Sequence, residues 1–126
     1  MADSGERRKR RSGYKDLALE VWLDTVARRH DVPVLVVADG SGLLVAAGRD
    51  AVEAEEIAAL AATLVCPVGE VATCSHRGAT VWARRVAQVE EQILVLAKGA
   101  AGPAHAALAE ADPGVTRILA ERLRQG

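Results

Sequence analysis

The chain has 126 residues, of which 50% are hydrophobic, and a formal net charge of −1. This length fits one domain, and the hydrophobic content can fill a core, so the composition excludes global disorder. The sequence has no Phe, one Tyr and two Trp. This scarcity of aromatic residues disfavours nucleic-acid recognition by base stacking and requires a core of Val, Leu, Ile and Ala.

The charge is unevenly distributed. Residues 1–13 contain the basic run Arg7 to Arg11 and are predicted to form a disordered tail, followed by a single domain over 14–126. The domain is mildly acidic, so nucleic acid is not an expected partner except weakly through the tail. No apolar run approaches the roughly 20 residues of a transmembrane helix, and none follows the basic run as in a signal peptide. We therefore expect a cytoplasmic protein in which Cys66 and Cys74 are reduced thiols.

The first half of the chain predicts a helix and a β-hairpin. A stripe of apolar residues with helical spacing indicates a helix over 15–29. Two short apolar runs, 34–38 and 43–47, flank the segment Asp39-Gly40-Ser41-Gly42. Aspartate and glycine at these positions are typical of a tight turn, so the two runs are predicted to pair as antiparallel strands.

A second helix is predicted over 51–65. Its first part is acidic, which suits the positive end of a helix dipole, and Asp50 is a candidate N-cap. From Ile57 to Val65 the only polar residue is Thr63. A surface helix needs one wet face, so this segment favours a second cover, for which another copy of the chain is the simplest candidate. The alternative is that exposed alanines are tolerated and that only one side is buried.

The second half predicts three strands, over 70–76, 79–89 and 93–97. A short Ala-rich helix is expected over 103–111, and a last helix over 112–123, with Asp112 as its N-cap and Pro113 at its first position. The order is thus helix, two strands, helix, three strands, helix. We predict an α/β (α+β) fold with a five-stranded, mostly antiparallel sheet and helices on both faces.

This order, together with the hairpin and acidic helix at 32–65, resembles the Roadblock/dynein light chain family and its bacterial MglB-like members. The resemblance implies a Roadblock/profilin-like fold without catalytic activity. It also implies dimerisation through the second helices and third strands, and many family members regulate or scaffold Ras-like small GTPases. On this basis a Ras-like GTPase partner is expected to contact Glu53, Glu56 and Ala59. The expected homodimer interface contains Ile57, Ala58, Leu60, Ala61, Leu64, Ala72 and Cys74.

The sequence contains no convincing motif for a metal site, a catalytic site or a nucleotide-binding site. Cys66 and Cys74 are separated by seven residues, a spacing that matches no compact zinc motif, and the sequence has no second cysteine pair. Cys74 with His76 lacks a third group that would orient a catalytic dyad. The segment 40–42 precedes a strand, unlike a dinucleotide-binding loop, and the sequence has no phosphate-binding loop of the GTPase type. We therefore predict no catalytic residue, no metal and no cofactor.

Three other functions are compatible with the pattern. One is a sensor of small ligands with a PAS- or GAF-like shape, since small core side chains could leave a cavity. Another is a scaffold subunit unrelated to GTPases. A minor enzyme or a haem-binding protein is the least favoured, because no credible site supports it.

Overall fold

The computed structural model describes residues 17–48, 53–87 and 92–125, with side chains described up to residue 121. The basic tail and the candidate N-cap Asp50 lie outside the described residues. The predicted order of elements is confirmed. The elements are α1 (17–30), β1 (Val34–Asp39), β2 (Leu44–Ala47), α2 (Ala54–Ala59), a 3-10 helix (Leu60–Thr63), β3 (Val71–His76), β4 (Ala79–Arg85), β5 (Ile93–Lys98) and α3 (Ala101–Gln125).

The strands of the described chain form one five-stranded sheet in the order β2-β1-β5-β4-β3, and every pairing is antiparallel. The two middle strands β1 and β5 are buried on both faces apart from their last residues. This explains why their sequences are continuous apolar runs without the polar alternation of a half-exposed strand. The fold class predicted from the sequence is confirmed.

Each face of the sheet carries its own core. On one face α1 and α3 pack against alternate residues of the strands, among them Leu35, Val37 and Val95. On the other face α2 packs against Val36, Leu96 and their neighbours. The second face therefore has much less helix to cover it than the first.

The turn between β1 and β2 is fixed by side-chain and backbone contacts. The carboxylate of Asp39 accepts hydrogen bonds from the Ser41 backbone N–H at 3.0 Å, the Ser41 hydroxyl at 2.7 Å and the Leu43 N–H at 3.1 Å. Gly42 has a φ of 89°, and a Cβ there would lie 3.1 Å from the Ala59 carbonyl oxygen. The turn thus packs directly on the end of α2. Glycine at position 42 allows both the positive φ and the close approach to Ala59, because it has no Cβ.

The C-terminal region differs from the prediction of two helices over 103–111 and 112–123. It is a single helix, α3, with Pro113 in its interior. Proline removes one helical hydrogen bond, but burial stabilises the helix on both sides of it. Leu108 and Val115 are both fully buried against the sheet.

The segment around Pro113 is where α1 docks on α3. The Trp22 indole Nε1–H donates to the Ala111 carbonyl oxygen at 3.0 Å. A Cβ on Gly114 would overlap the indole ring of Trp22. The Asp-Pro-Gly sequence therefore serves as a contact surface for Trp22 and not as a chain break.

Two other boundaries are corrected. The predicted helix over 51–65 tightens into the 3-10 helix at Leu60, and Leu64 is already extended, with a ψ of 138°. Tightening of this kind is frequent at helix ends. The strand predicted over 79–89 ends at Arg85, after which Val86 N–H still donates to the Ile93 carbonyl at 2.9 Å.

Candidate functional site

The inner side of α2 and the 3-10 helix belongs to the core of this chain. Ile57, Ala58 and Ala61 are at most 1% exposed and lie in the cluster that packs on the sheet. These three residues were expected in a dimer interface, but the chain's own sheet covers them and leaves no surface for a second copy. Ala59 and Ala62 are exposed in the single chain, so the outer side of this segment is an apolar surface open to a partner.

An apolar strip borders this core on the same face of the sheet. Four residues of the expected interface, Leu60, Leu64, Ala72 and Cys74, are half-buried and pack against the edge of the cluster. Val65 directly follows Leu64 in the chain and is 87% exposed. The strip joins the end of the 3-10 helix to β3, which is an edge strand of the sheet. An edge strand has free backbone N–H and C=O groups, so the strip combines apolar side chains with an unpaired ladder.

A charged cluster ties the start of α2 to the ends of β3 and β5. Lys98 Nζ donates to Glu53 Oε1 at 2.8 Å and lies 3.1 Å from His76 Nδ1. His76 Nε2 lies 2.8 Å from Glu56 Oε1, and Arg77 also pairs with Glu56 at 3.1 Å. An ammonium group only donates, so these contacts match a neutral His76 ring in which Nδ1 accepts from Lys98 and Nε2–H donates to Glu56. The cluster fixes α2 relative to the sheet.

The cluster changes the acidity of both glutamates. The hydrogen bond from Lys98 lowers the pKa of Glu53, and the hydrogen bond from His76 lowers the pKa of Glu56. Partial desolvation acts in the opposite direction in both cases but is the smaller effect. Glu53 and Glu56 were expected to contact a partner protein, and the structure gives each an ion pair within the chain.

These lowered pKa values predict acid sensitivity of the folded state. A carboxyl group with a pKa below its ordinary value of 4.5 stabilises the fold above that value. The stabilisation is lost as the pH falls through the folded-state pKa. We expect thermal unfolding scans between about pH 6 and pH 3 to show a decline in melting temperature that is shallower for Glu53→Gln/Glu56→Gln.

Glu55→Gln provides the matched control, since Glu55 lies in the same helical turn and makes no ion pair among the described residues. Its acid decline is expected to follow that of the wild type. A double Gln variant with an unchanged slope would contradict the assigned role of the cluster.

The two cysteines are both free. Burial raises the pKa of the Cys74 thiol, and both ring nitrogens of the neighbouring His76 are engaged by Glu56 and Lys98. The pair therefore lacks both an activated thiolate and an available base. Cys66 is buried, and its Sγ lies 3.6 Å from the Ala83 carbonyl oxygen, as expected for a thiol in a core.

Residues 17–48, 53–87 and 92–125 contain no group of three or more His, Cys, Asp or Glu side chains arranged to hold a metal ion. Within the same ranges, no helix has the length and apolar character needed to cross a bilayer.

Sequence reasoning did not identify His76, Arg77 and Lys98 as partners of the glutamates. The residues lie 20 or more positions from their partners in the chain, and no local pattern links them. One signal was available. Lys98 ends an otherwise purely apolar central strand, and a lysine in that place needs a nearby counter-charge.

Taken together, a five-stranded antiparallel sheet with α1 and α3 on one face and a short α2 on the other defines an α+β fold of the Roadblock type. A solved structure with this fold is that of Myxococcus xanthus MglB. It matches with a TM-score of 0.64 at 12% sequence identity, over 84% of this chain and 90% of that chain. No family model and no curated protein matches the sequence. At this identity the likeness shows the shared fold, and the fold implied by the resemblance is thereby confirmed.

Proposed function

We propose that this chain is a non-catalytic, homodimeric regulator of a Ras-like small GTPase in the cytoplasm. The observation that carries the proposal is the α2 face, which combines an exposed helix surface with an adjoining apolar strip at a sheet edge. Exposed apolar surface beside an open edge strand is typical of a protein interface. The Roadblock-type fold and the family resemblance supply the class of partner.

The face divides into two parts with different roles. The apolar strip Leu60, Leu64, Val65, Ala72 and Cys74 is the proposed contact between two copies. The exposed side of α2, with Ala59 and the cluster around Glu56, is the proposed contact with the GTPase. Because the strip and α2 are contiguous, dimerisation would place two α2 surfaces side by side.

A binding assay with purified components tests the GTPase assignment. Each Ras-like GTPase of the source organism is loaded with GDP or with a non-hydrolysable GTP analogue, and binding is measured by calorimetry. We expect one GTPase to bind in one nucleotide state with a Kd of about 10 μM or tighter. The proposal fails if none binds in either state at about 100 μM.

A pair of variants locates the contact. Ala59→Arg adds a large charged group to the exposed side of α2, and we expect the affinity to fall at least about tenfold. Ala106→Arg makes the same change at an exposed alanine of α3 on the opposite face. It should leave binding within about twofold of the wild type. Equal effects of both variants would contradict the assigned surface.

A further inference from the structure

A groove of about 470 Å³ lies between the end of β4 and the middle of α3. It is on the face opposite α2, so the inference drawn from it goes beyond the proposed function. Its sheet side is formed by Arg84 and Ala87, and its helix side by Ala109, Asp112, Pro113 and Arg117, with Thr116 beside them. None of these residues belongs to the apolar strip or to the charged cluster.

The groove contains an excess of positive charge. Arg84 Nε donates to Asp112 Oδ2 at 2.8 Å, and the Thr116 hydroxyl lies 3.3 Å from Asp112 Oδ1. The Asp112 side chain is only 13% exposed, and its negative charge is paired with Arg84 in the wall of the groove. Arg117 is exposed and has no ion pair among the described residues. Among the described lining residues, one positive charge therefore remains for a ligand.

The donors in the groove are already oriented. Asp112 holds Arg84 by Nε, so the two terminal nitrogens of that guanidinium have no partner among the described side chains. A guanidinium held in this way can bind a carboxylate with little further loss of conformational freedom. Arg84 and Arg117 together offer planar donors suited to carboxylates.

The groove also contains an acceptor. Pro113 has no N–H, so the Ala109 carbonyl lacks the donor that it would otherwise have in the next helical turn. Both residues line the groove. A ligand with a hydrogen-bond donor in addition to an anion therefore matches both features of the groove. A peptide has backbone N–H groups and carboxylate side chains, whereas a bare phosphate has only the anionic oxygens.

We propose that this groove between β4 and α3 binds an acidic peptide segment of a partner protein. Carboxylates of the segment pair with Arg117 and with the terminal nitrogens of Arg84. A backbone N–H of the segment donates to the Ala109 carbonyl. Small apolar side chains lie against Ala87 and Pro113.

Fluorescence anisotropy with a labelled peptide of Glu, Asp and Ala, roughly ten residues long, tests the proposal on the full chain. We expect saturable binding with a Kd below about 1 mM. A peptide with Gln and Asn in place of the acids should bind at least about tenfold more weakly. Lack of binding by the acidic peptide, or equal binding of the neutral one, would overturn the proposal. Displacement of the acidic peptide by inorganic phosphate at equal concentration would overturn it in favour of a simple oxyanion site.

Three variants assign the contacts. Arg117→Glu should weaken the acidic peptide at least about tenfold, whereas Arg28→Glu makes the same charge change on α1 and should alter the Kd less than about twofold. Pro113→Ala restores an N–H that can bond the Ala109 carbonyl. It should weaken binding about threefold or more while the melting temperature stays the same or rises. Equal effects of the two charge reversals, or unchanged affinity in Pro113→Ala, would contradict the described mode of binding.

Discussion

Gly114→Ala is expected to lower the free energy of unfolding by about 3 kcal/mol and the melting temperature by more than about 10 °C. A Cβ at this position would overlap the indole of Trp22 at atoms Nε1, Cε2 and Cζ2. The ring and the helix backbone must then separate, which also breaks the hydrogen bond from Trp22 to the Ala111 carbonyl. Urea unfolding followed by tryptophan fluorescence and circular dichroism measures the change.

The matched control is Gly102→Ala in the same helix. Nothing lies within 4 Å of a Cβ at Gly102, and alanine is a better helix former than glycine. We therefore expect Gly102→Ala to raise the free energy of unfolding by about 0.5 kcal/mol. A Trp22→Leu background adds a second test, because the smaller side chain should make Gly114→Ala less costly. If Gly114→Ala were as harmless as Gly102→Ala, the docking of α1 on α3 described above would be wrong.

Val65→Arg is expected to convert a homodimer into a folded monomer of 13.2 kDa. Val65 is 87% exposed in the single chain, so its substitution should leave the stability of the protomer almost unchanged. In the proposed interface the same side chain would be buried, and a charge there should weaken association by about 2 kcal/mol or more, roughly 30-fold in Kd. Light scattering over a range of concentrations gives the mass directly.

Val21→Arg serves as the control for this variant. Val21 is 59% exposed on α1, on the face of the sheet away from the apolar strip. The Val21→Arg variant should therefore have the same mass in light scattering as the wild type. A wild-type chain that is monomeric at high concentration, or a Val65→Arg chain that remains dimeric, would exclude the strip as the dimer contact.

The hairpin and the central strands could be predicted from the sequence because their signals are local. The runs around Asp39 and Gly42 combine β-branched residues with turn residues, and the two strands form as expected. The length of the second helix could not be predicted in this way. Alanine and leucine favour helix throughout residues 57–64, but Cys66 is buried against Ala83, and the chain is already extended at Leu64.

The continuity of helix α3 could not be predicted from the sequence either, because it also depends on long-range contacts. Proline and glycine at 113 and 114 normally end a helix. Here tertiary contacts outweigh this preference, because Trp22 of α1 needs a residue without a side chain at Gly114. That requirement links two positions far apart in the chain, so no window of sequence could show it.

Only part of the candidate site could be predicted from the sequence, because the rest depends on contacts between residues far apart in the chain. The acidic start of α2 could be identified from Glu53, Glu55 and Glu56, and helix periodicity placed Ala59 near them. The division between inner and outer residues depends on how α2 lies on the sheet, which the apolar pattern alone left open. The groove depends on Arg84 and Asp112, which are 28 residues apart.

The hairpins β1–β2 and β3–β4 differ in how much change of sequence their turns can accept. Gly42 in the first turn is held against Ala59, whereas nothing lies within 4 Å of a Cβ at Gly78 in the second. Natural insertions and deletions among proteins of this shape should therefore accumulate between β3 and β4 and be rare between β1 and β2. For the same reason, an epitope or an affinity handle is better inserted after Gly78, where Arg77 can keep its ion pair with Glu56.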